Sequence, residues 1–191
     1  MKNLEKSLEE FAGELDKAFK KGELAGYALI GGLAVSARSK PRATKDIDFL
    51  VSAEKDFFSK TFPEILESKG HSYKIFKGGW DDPVNGLIRV YDEDGSELVD
   101  IIPVFWKWQD EIVKNAEKLK VFEGVSIPVA RIEDLVILKL VAGGPQDMLD
   151  IEELLKVGKV QQNIDKERLL NLAKRAKESR KLKELLNKFD I

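Results

Sequence analysis

The chain of 191 residues is 43% hydrophobic and 35% charged with a net charge of −2, which describes a soluble globular protein with one substantial core. It has no cysteine and a single histidine, His71, so disulfides, thiolate zinc sites, a cysteine nucleophile and a multi-histidine metal cluster are excluded. No apolar run is long enough to span a bilayer and MKNLEKSLEE does not read as a signal peptide, so no membrane association and a cytoplasmic location are expected. Residues 156–188 hold eleven Lys or Arg against four Asp or Glu, while residues 1–155 sum to −8. An acidic body and a basic tail of this kind point to two different jobs.

Leu4, Leu8, Phe11, Leu15 and Phe19 recur at helical spacing and predict an amphipathic helix over 4–21. YALI (27–30) is a short buried strand stopped by Gly31-Gly32, and LAVSAR (33–38) is a short helix broken by Pro41. DIDFLVS (46–52) reads as a strand and EKDFFSKTFPEILESKG (54–70) as a helix interrupted near Pro63. SYKIFK (72–77) is a strand closed by the turn-prone GGWDDPVNG, and LIRVYDEDGSELVDIIPVF (87–105) is a pair of strands joined by hairpin chemistry at Asp92–Gly95. A helix over 106–119 and an edge strand with loop in VFEGVSIPVA (121–130) follow; helices are then predicted over 132–142, 147–157, 165–176 and 178–188. The division falls near 128–131, giving a catalytic core in 1–130 and a helical region in 131–191.

Asp46 and Asp48 interrupt a strand otherwise made for the core. Residues i and i+2 of a strand face the same way, so these carboxylates stand about 6–7 Å apart on one face while Ile47, Phe49 and Val51 face the other. Two solvated aspartates at a strand end would look the same. A shared cation is the alternative, and oxygen-only ligation of this kind suits Mg²⁺ or Mn²⁺. Upstream, Gly31-Gly32 lies between strand and helix, where free backbone N–H groups and the helix dipole suit a phosphate. Arg38, Lys40, Arg42 and Lys45 could add charge-assisted contacts. Asp100 breaks the apolar run Leu98-Val99-Asp100-Ile101-Ile102; it is either an edge-strand charge or a third carboxylate brought beside the first two.

Other residues invite plainer readings. Lys139, flanked by apolar residues in VILKLVA, could be a snorkelling lysine on a core helix. Trp106 and Trp108 read as one surface and one packing residue. Gly78-Gly79-Trp80 reads as a loop and His71 as an ordinary surface histidine.

Gly31-Gly32, a spacer of thirteen residues, Asp46-Ile47-Asp48-Phe49 and a later strand aspartate together resemble the nucleotidyltransferase superfamily that includes DNA polymerase beta. The wording GGLAVSAR…RATKDIDFLV is most similar to the nucleotidyltransferase-like toxins of the AbiEii type, and EDLVILKLVAGGPQDMLDIEELL (133–155) resembles that branch's later helices. The resemblance covers residues 25–157. It implies Asp46 and Asp48 as metal ligands, Asp100 as third ligand and base, and Gly31 and Gly32 as the hold on the triphosphate. Arg42, Thr44, Lys139 and Asp147 would bind the nucleotide. Asp147 and Asp150 match a later acidic pair, although Pro145-Gln146 stands where relatives usually carry a basic residue.

The expected fold is therefore α+β: a mixed sheet carrying the glycine turn and three aspartates, helices covering one face, and a C-terminal helical region closing the nucleotide cleft. The implied activity is metal-dependent transfer of NMP from an NTP to a hydroxyl acceptor, with Mg²⁺ or Mn²⁺ as cofactor. The resemblance and the basic tail suggest an RNA acceptor, such as a tRNA 3′ end held by residues 156–188, and an antitoxin protein as partner. The alternatives are nucleotidylyl transfer to a small molecule or protein, and a non-catalytic nucleotide- or RNA-binding module.

Overall fold

A computed structural model describes residues 4–78, 86–161 and 163–191. Gly79 and Trp80, read as a loop from the sequence, lie outside the described residues.

Helix α1 (Leu4–Lys20) precedes strand β1 (Gly26–Ile30), which runs straight into α2 (Gly31–Arg38). Strand β2 (Ile47–Ser52) follows, then a π-helical turn (Phe57–Thr61) feeding α3 (Phe62–Ser68), where Pro63 occupies the first turn that tolerates it. Strands β3 (Ser72–Phe76), β4 (Leu87–Tyr91) and β5 (Glu97–Pro103) lead to α4 (Lys107–Lys114). Strands β6 (Glu117–Phe122) and β7 (Val125–Val129) lead to α5 (Ile132–Ala142), α6 (Pro145–Gln161), α7 (Lys166–Arg175) and α8 (Ser179–Phe189).

The seven strands form one mixed sheet in the order β3-β4-β5-β2-β1-β7-β6. Strand β2 pairs parallel to β5 and antiparallel to β1, and β1 pairs parallel to β7. Neither β2 nor β5 is an edge strand, so the reading of Asp48 and Asp100 as edge charges is set aside. An acid at 7% exposure inside the sheet, as Asp100 is, needs a partner or a purpose.

Helices lie on both faces of the sheet, where one covered face was expected. Adjacent residues of β1 show this, because Gly26 and Tyr27 must point opposite ways. Tyr27 Oη donates to Asp16 of α1 at 2.6 Å, whereas a Cβ on Gly26 would come within 2.8 Å of Val113 Cγ1 on α4. The helix predicted over 106–119 ends at Lys114, and 117–129 forms the hairpin β6–β7 turning at Gly124 with φ +78. There β7 is an inner strand and β6 the edge. Alternation of Leu119, Val121 and their charged neighbours has a period of two, which a helix cannot bury on one side. His71 is also better anchored than a surface residue: its ring lies 5.0 Å from that of Phe11 and its Nε2 is 2.9 Å from Glu10. Of the two tryptophans, Trp108 is packed and Trp106 is exposed. Among the described residues no helix is long and apolar enough to cross a membrane.

Candidate active site

The site forms where β1 gives way to α2. Gly31 takes φ +66, a conformation that glycine alone adopts without strain, and no side chain caps the first turn of α2. Asp48 stands opposite Ile30 in the sheet, so its carboxylate lies directly beneath the turn. A Cβ on Gly31 would come within 1.8 Å of Asp48 Oδ2 and 2.9 Å of Asp48 Cβ. Gly32 is used in the same way, since a Cβ there would meet Arg42 Nη2 at 2.7 Å and Thr44 Oγ1 at 2.9 Å. Thr44 Oγ1 in turn donates to Asp46 Oδ1 at 3.1 Å. Gly31, Gly32, Arg42, Thr44, Asp46 and Asp48 thus form one contiguous patch, as their pattern in the sequence implies.

Lys139 of α5 joins it from across the cleft. Lys139, Gly31 and Asp48 line a cavity of about 190 Å³ whose apolar wall includes Leu50, Ile102, Trp108 and Leu138. Lys139 is no snorkelling lysine, because its Nζ lies 2.7 Å from Asp147 Oδ1 and 3.1 Å from Asp150 Oδ2. Burial draws its pKa down, but the bonds to Asp147 and Asp150 outweigh this and hold it above the usual lysine value. Asp150, only 2% exposed, also accepts from Arg42 Nη2 at 2.8 Å and from Gln146 at 3.1 Å. Burial acts to raise its carboxyl; Arg42, Lys139 and Gln146 reverse that and leave it below its ordinary value. Asp150 therefore ties the loop after α2 to α5 and α6, and stranding so buried an acid would cost about 3–5 kcal/mol. Asp147, whose role the sequence left open, caps this corner by accepting from the Gly144 N–H at 2.9 Å.

The three aspartates of the sequence pattern are neighbours with different partners. Asp48 stands opposite Asp100 in the parallel pair β2–β5, and directly opposed residues share a face. Burial, then the charges of Asp46 and Asp100, push the Asp48 carboxyl up to about 7 in spite of Lys139 and Arg89. Asp100 gives both oxygens to Arg89, with Nε at 2.8 Å and Nη2 at 2.7 Å. Among the described residues no three acidic or histidine side chains gather closely enough to hold a metal ion. Arg89 did not stand out in the sequence. It comes opposite Asp100 through a β-bulge between Val90 and Tyr91, which turn chemistry alone does not announce. The apolar cavity wall was not singled out either, although alternation puts Leu50 and Ile102 on the face of Asp48 and Asp100.

The sequence profile described as "Nucleotidyltransferase of unknown function (DUF6036)" matches residues 6–190. No curated protein matches the sequence. Among solved structures, an antigenic nucleotidyltransferase-like protein from Paracoccidioides brasiliensis superposes with a TM-score of 0.54 at 17% identity, covering 97% of this chain and 88% of that one. The antibiotic-resistance factor ANT(2″)-Ia in solution gives 0.52 at 18% identity over 96% of this chain and 94% of its own. Its complex with adenylyl-2″-tobramycin gives 0.52 at 17% identity over 91% and 97%. At these identities the likeness is one of fold.

Proposed function

Because this chain belongs to the DUF6036 nucleotidyltransferases, we propose that it transfers NMP from an NTP to a hydroxyl acceptor, with Mg²⁺ or Mn²⁺ held at Asp46 and Asp48. The observation that carries this reading is the seat of Asp48 beneath Gly31, so close that no side chain fits between them. It brings a carboxylate next to the uncapped N–H groups of α2, where a metal–triphosphate complex needs both. The donors suit a hard cation: they are all oxygen, and burial together with repulsion from Asp46 and Asp100 pushes the Asp48 carboxyl up to about 7, a cost that a divalent charge would offset. Held by Asp46 and Asp48, such a cation would supply charge neutralisation and polarisation of the transferring group in an in-line displacement that releases pyrophosphate.

The protein's own groups divide the remaining work. The first turn of α2 with Arg42 and Thr44 binds phosphate oxygens, and Lys139 exchanges Asp147 and Asp150 for the nucleotide. Asp100, on the neighbouring strand, serves as third ligand or takes the proton of the acceptor hydroxyl. The helices from Arg131 onward close the cleft over the core formed by 1–130. Asp100→Asn should keep most NTP affinity and lose transfer by ~10² or more, the contribution of a general base. Calorimetry with a non-hydrolysable NTP, set beside a transfer assay, checks this; wild-type transfer by the variant removes Asp100 from the mechanism.

RNA, with a tRNA 3′ end as the leading case, is the proposed acceptor, and an antitoxin protein the proposed partner of a toxin of this type. In the basic tail, Arg175, Arg180 and Lys181 are ion-paired with Glu111, Glu184 and Glu178. Among the described residues Lys166, Lys174, Lys177 and Lys183 are exposed and carry no such pair, so these four are the ones to test. Changing them together to Glu should weaken RNA binding and flatten its dependence on salt. Unchanged RNA affinity overturns the role of the tail. A small hydroxylated acceptor is the second reading, favoured by the apolar cavity beside Asp48 and by the likeness to the fold that binds adenylyl-2″-tobramycin. Incubation with each α-labelled NTP, Mg²⁺ or Mn²⁺ and total cellular RNA or a small-molecule extract locates the acceptor. Label in RNA supports the first reading, label in the small-molecule fraction the second, label on protein a protein acceptor, and label in none of these points to a non-catalytic binding module.

A further inference from the structure

The row of opposed side chains that contains Asp48 and Asp100 continues into Arg89 and Lys74 on β4 and β3. Arg89 owes its place to the bulge. If the Tyr91–Glu97 pairing ran on without it, Arg89 would oppose Val99 and its side chain would leave the face of the acids. The bulged register instead lets the guanidinium close on Asp100 with two N–H groups, at 2.8 and 2.7 Å, while Nη1 donates to Glu97. Its central carbon also lies 5.5 Å from the centre of the Phe76 ring. This is a fork-to-fork pair, which binds more strongly than a neutral hydrogen bond and fixes both carboxylate oxygens.

We propose that Arg89 is the resident counter-cation of the site: a positioning residue that neutralises and aims Asp100 and competes with a divalent cation for its oxygens. A cation that takes Asp100 as ligand shares an oxygen that already accepts a guanidinium N–H. Two positive charges on one carboxylate also repel, so the pair weakens as the cation binds. Glu97 and Phe76 already touch the guanidinium and give it a second holding place. The site thus trades one counter-charge for another, and its three carboxylates avoid facing one another bare. This inference rests on the metal-dependent reading of the site for the identity of the competitor.

The test is calorimetry of Mn²⁺ binding, with no nucleotide present, to the full chain as wild type, Arg89→Gln, Arg89→Lys and Asp48→Asn, together with melting in EDTA and in Mn²⁺. Arg89→Gln should bind Mn²⁺ about tenfold more tightly than wild type, the scale of losing one close charge pair. It should also melt lower in EDTA and recover more on adding Mn²⁺. Arg89→Lys should fall between the two, since an ammonium keeps the charge but cannot clamp both oxygens. Arg89→Gln binding no more tightly than wild type overturns the inference alone. Absence of Mn²⁺ binding in every form overturns the inference, and its absence also when a non-hydrolysable NTP is added overturns the metal-dependent reading with it. If Arg89→Gln does not fold even with Mn²⁺, Arg89→Lys decides: tighter binding than wild type supports the competition, and equal or weaker binding overturns it.

Discussion

Asp48→Asn should lose metal-dependent NTP binding and transfer by more than about 100-fold, and should at the same time make the metal-free protein more stable above neutral pH. The first effect exceeds what removing a mere supporting group of a metal site costs, because Asp48 is the carboxylate nearest both the glycine turn and Asp100. The second follows from the raised pKa. With the Asp48 carboxyl at about 7 in the fold against 3.8 when unperturbed, the folded state binds more protons than the unfolded one between those values. The stability of the metal-free wild type therefore falls as pH rises through that window, by up to about 1.4 kcal/mol per pH unit. Asn carries no charge and escapes this. Denaturant unfolding in EDTA at pH 5 and pH 8 should show the advantage of Asp48→Asn growing with pH; an advantage that is equal at both, or absent, contradicts the electrostatic account of the site.

Gly31→Ala should be nearly as damaging, from a single methyl group. Alanine at φ +66 carries strain of about 1–3 kcal/mol. The larger problem is space, since the methyl carbon would overlap Asp48 Oδ2 and also crowd Asp48 Cγ at 2.6 Å and Cβ at 2.9 Å. Rotating the carboxylate away does not relieve contact with Cβ, so β2 and α2 must part or Asp48 must leave the site. The expected outcome is transfer reduced about 100-fold or more, with a lowered melting temperature but a retained fold. A fold intact by circular dichroism together with wild-type transfer would show that the close seat of Asp48 beneath the turn is not what makes the site.

The parts of the site that the sequence announced were those governed by local periodicity. Asp46 and Asp48 could be placed on one face because a strand alternates, and Gly31-Gly32 could be placed at a turn because glycine ended an apolar run. Lys139 and Asp147 came with the resemblance, and the structure pairs them with each other and puts Lys139 in the cavity beside Asp48. What stayed hidden was set by register and by packing across the sheet. A bulge of one residue put Arg89 opposite Asp100, and hairpin chemistry at Asp92–Gly95 leaves that slip undetermined. Apolar content alone did not reveal that Leu50, Ile102 and Trp108 leave a cavity beside Asp48. In the basic tail, composition gave the net charge but not which residues are paired. Its net charge is real, but Arg175, Arg180 and Lys181 spend theirs on neighbouring glutamates.

The central claim is that the seat of Asp48 beneath Gly31 supports transfer of the α-phosphoryl group. One assay addresses it directly: parallel incubation of wild type and Asp48→Asn with NTP labelled at the α or at the γ position, Mg²⁺ or Mn²⁺, and cell extract as acceptor source. The wild type should fix α-label to an acceptor and release γ-label as pyrophosphate, and Asp48→Asn should do neither. Transfer of γ-label to an acceptor, or equal fixation of α-label by Asp48→Asn, would contradict it.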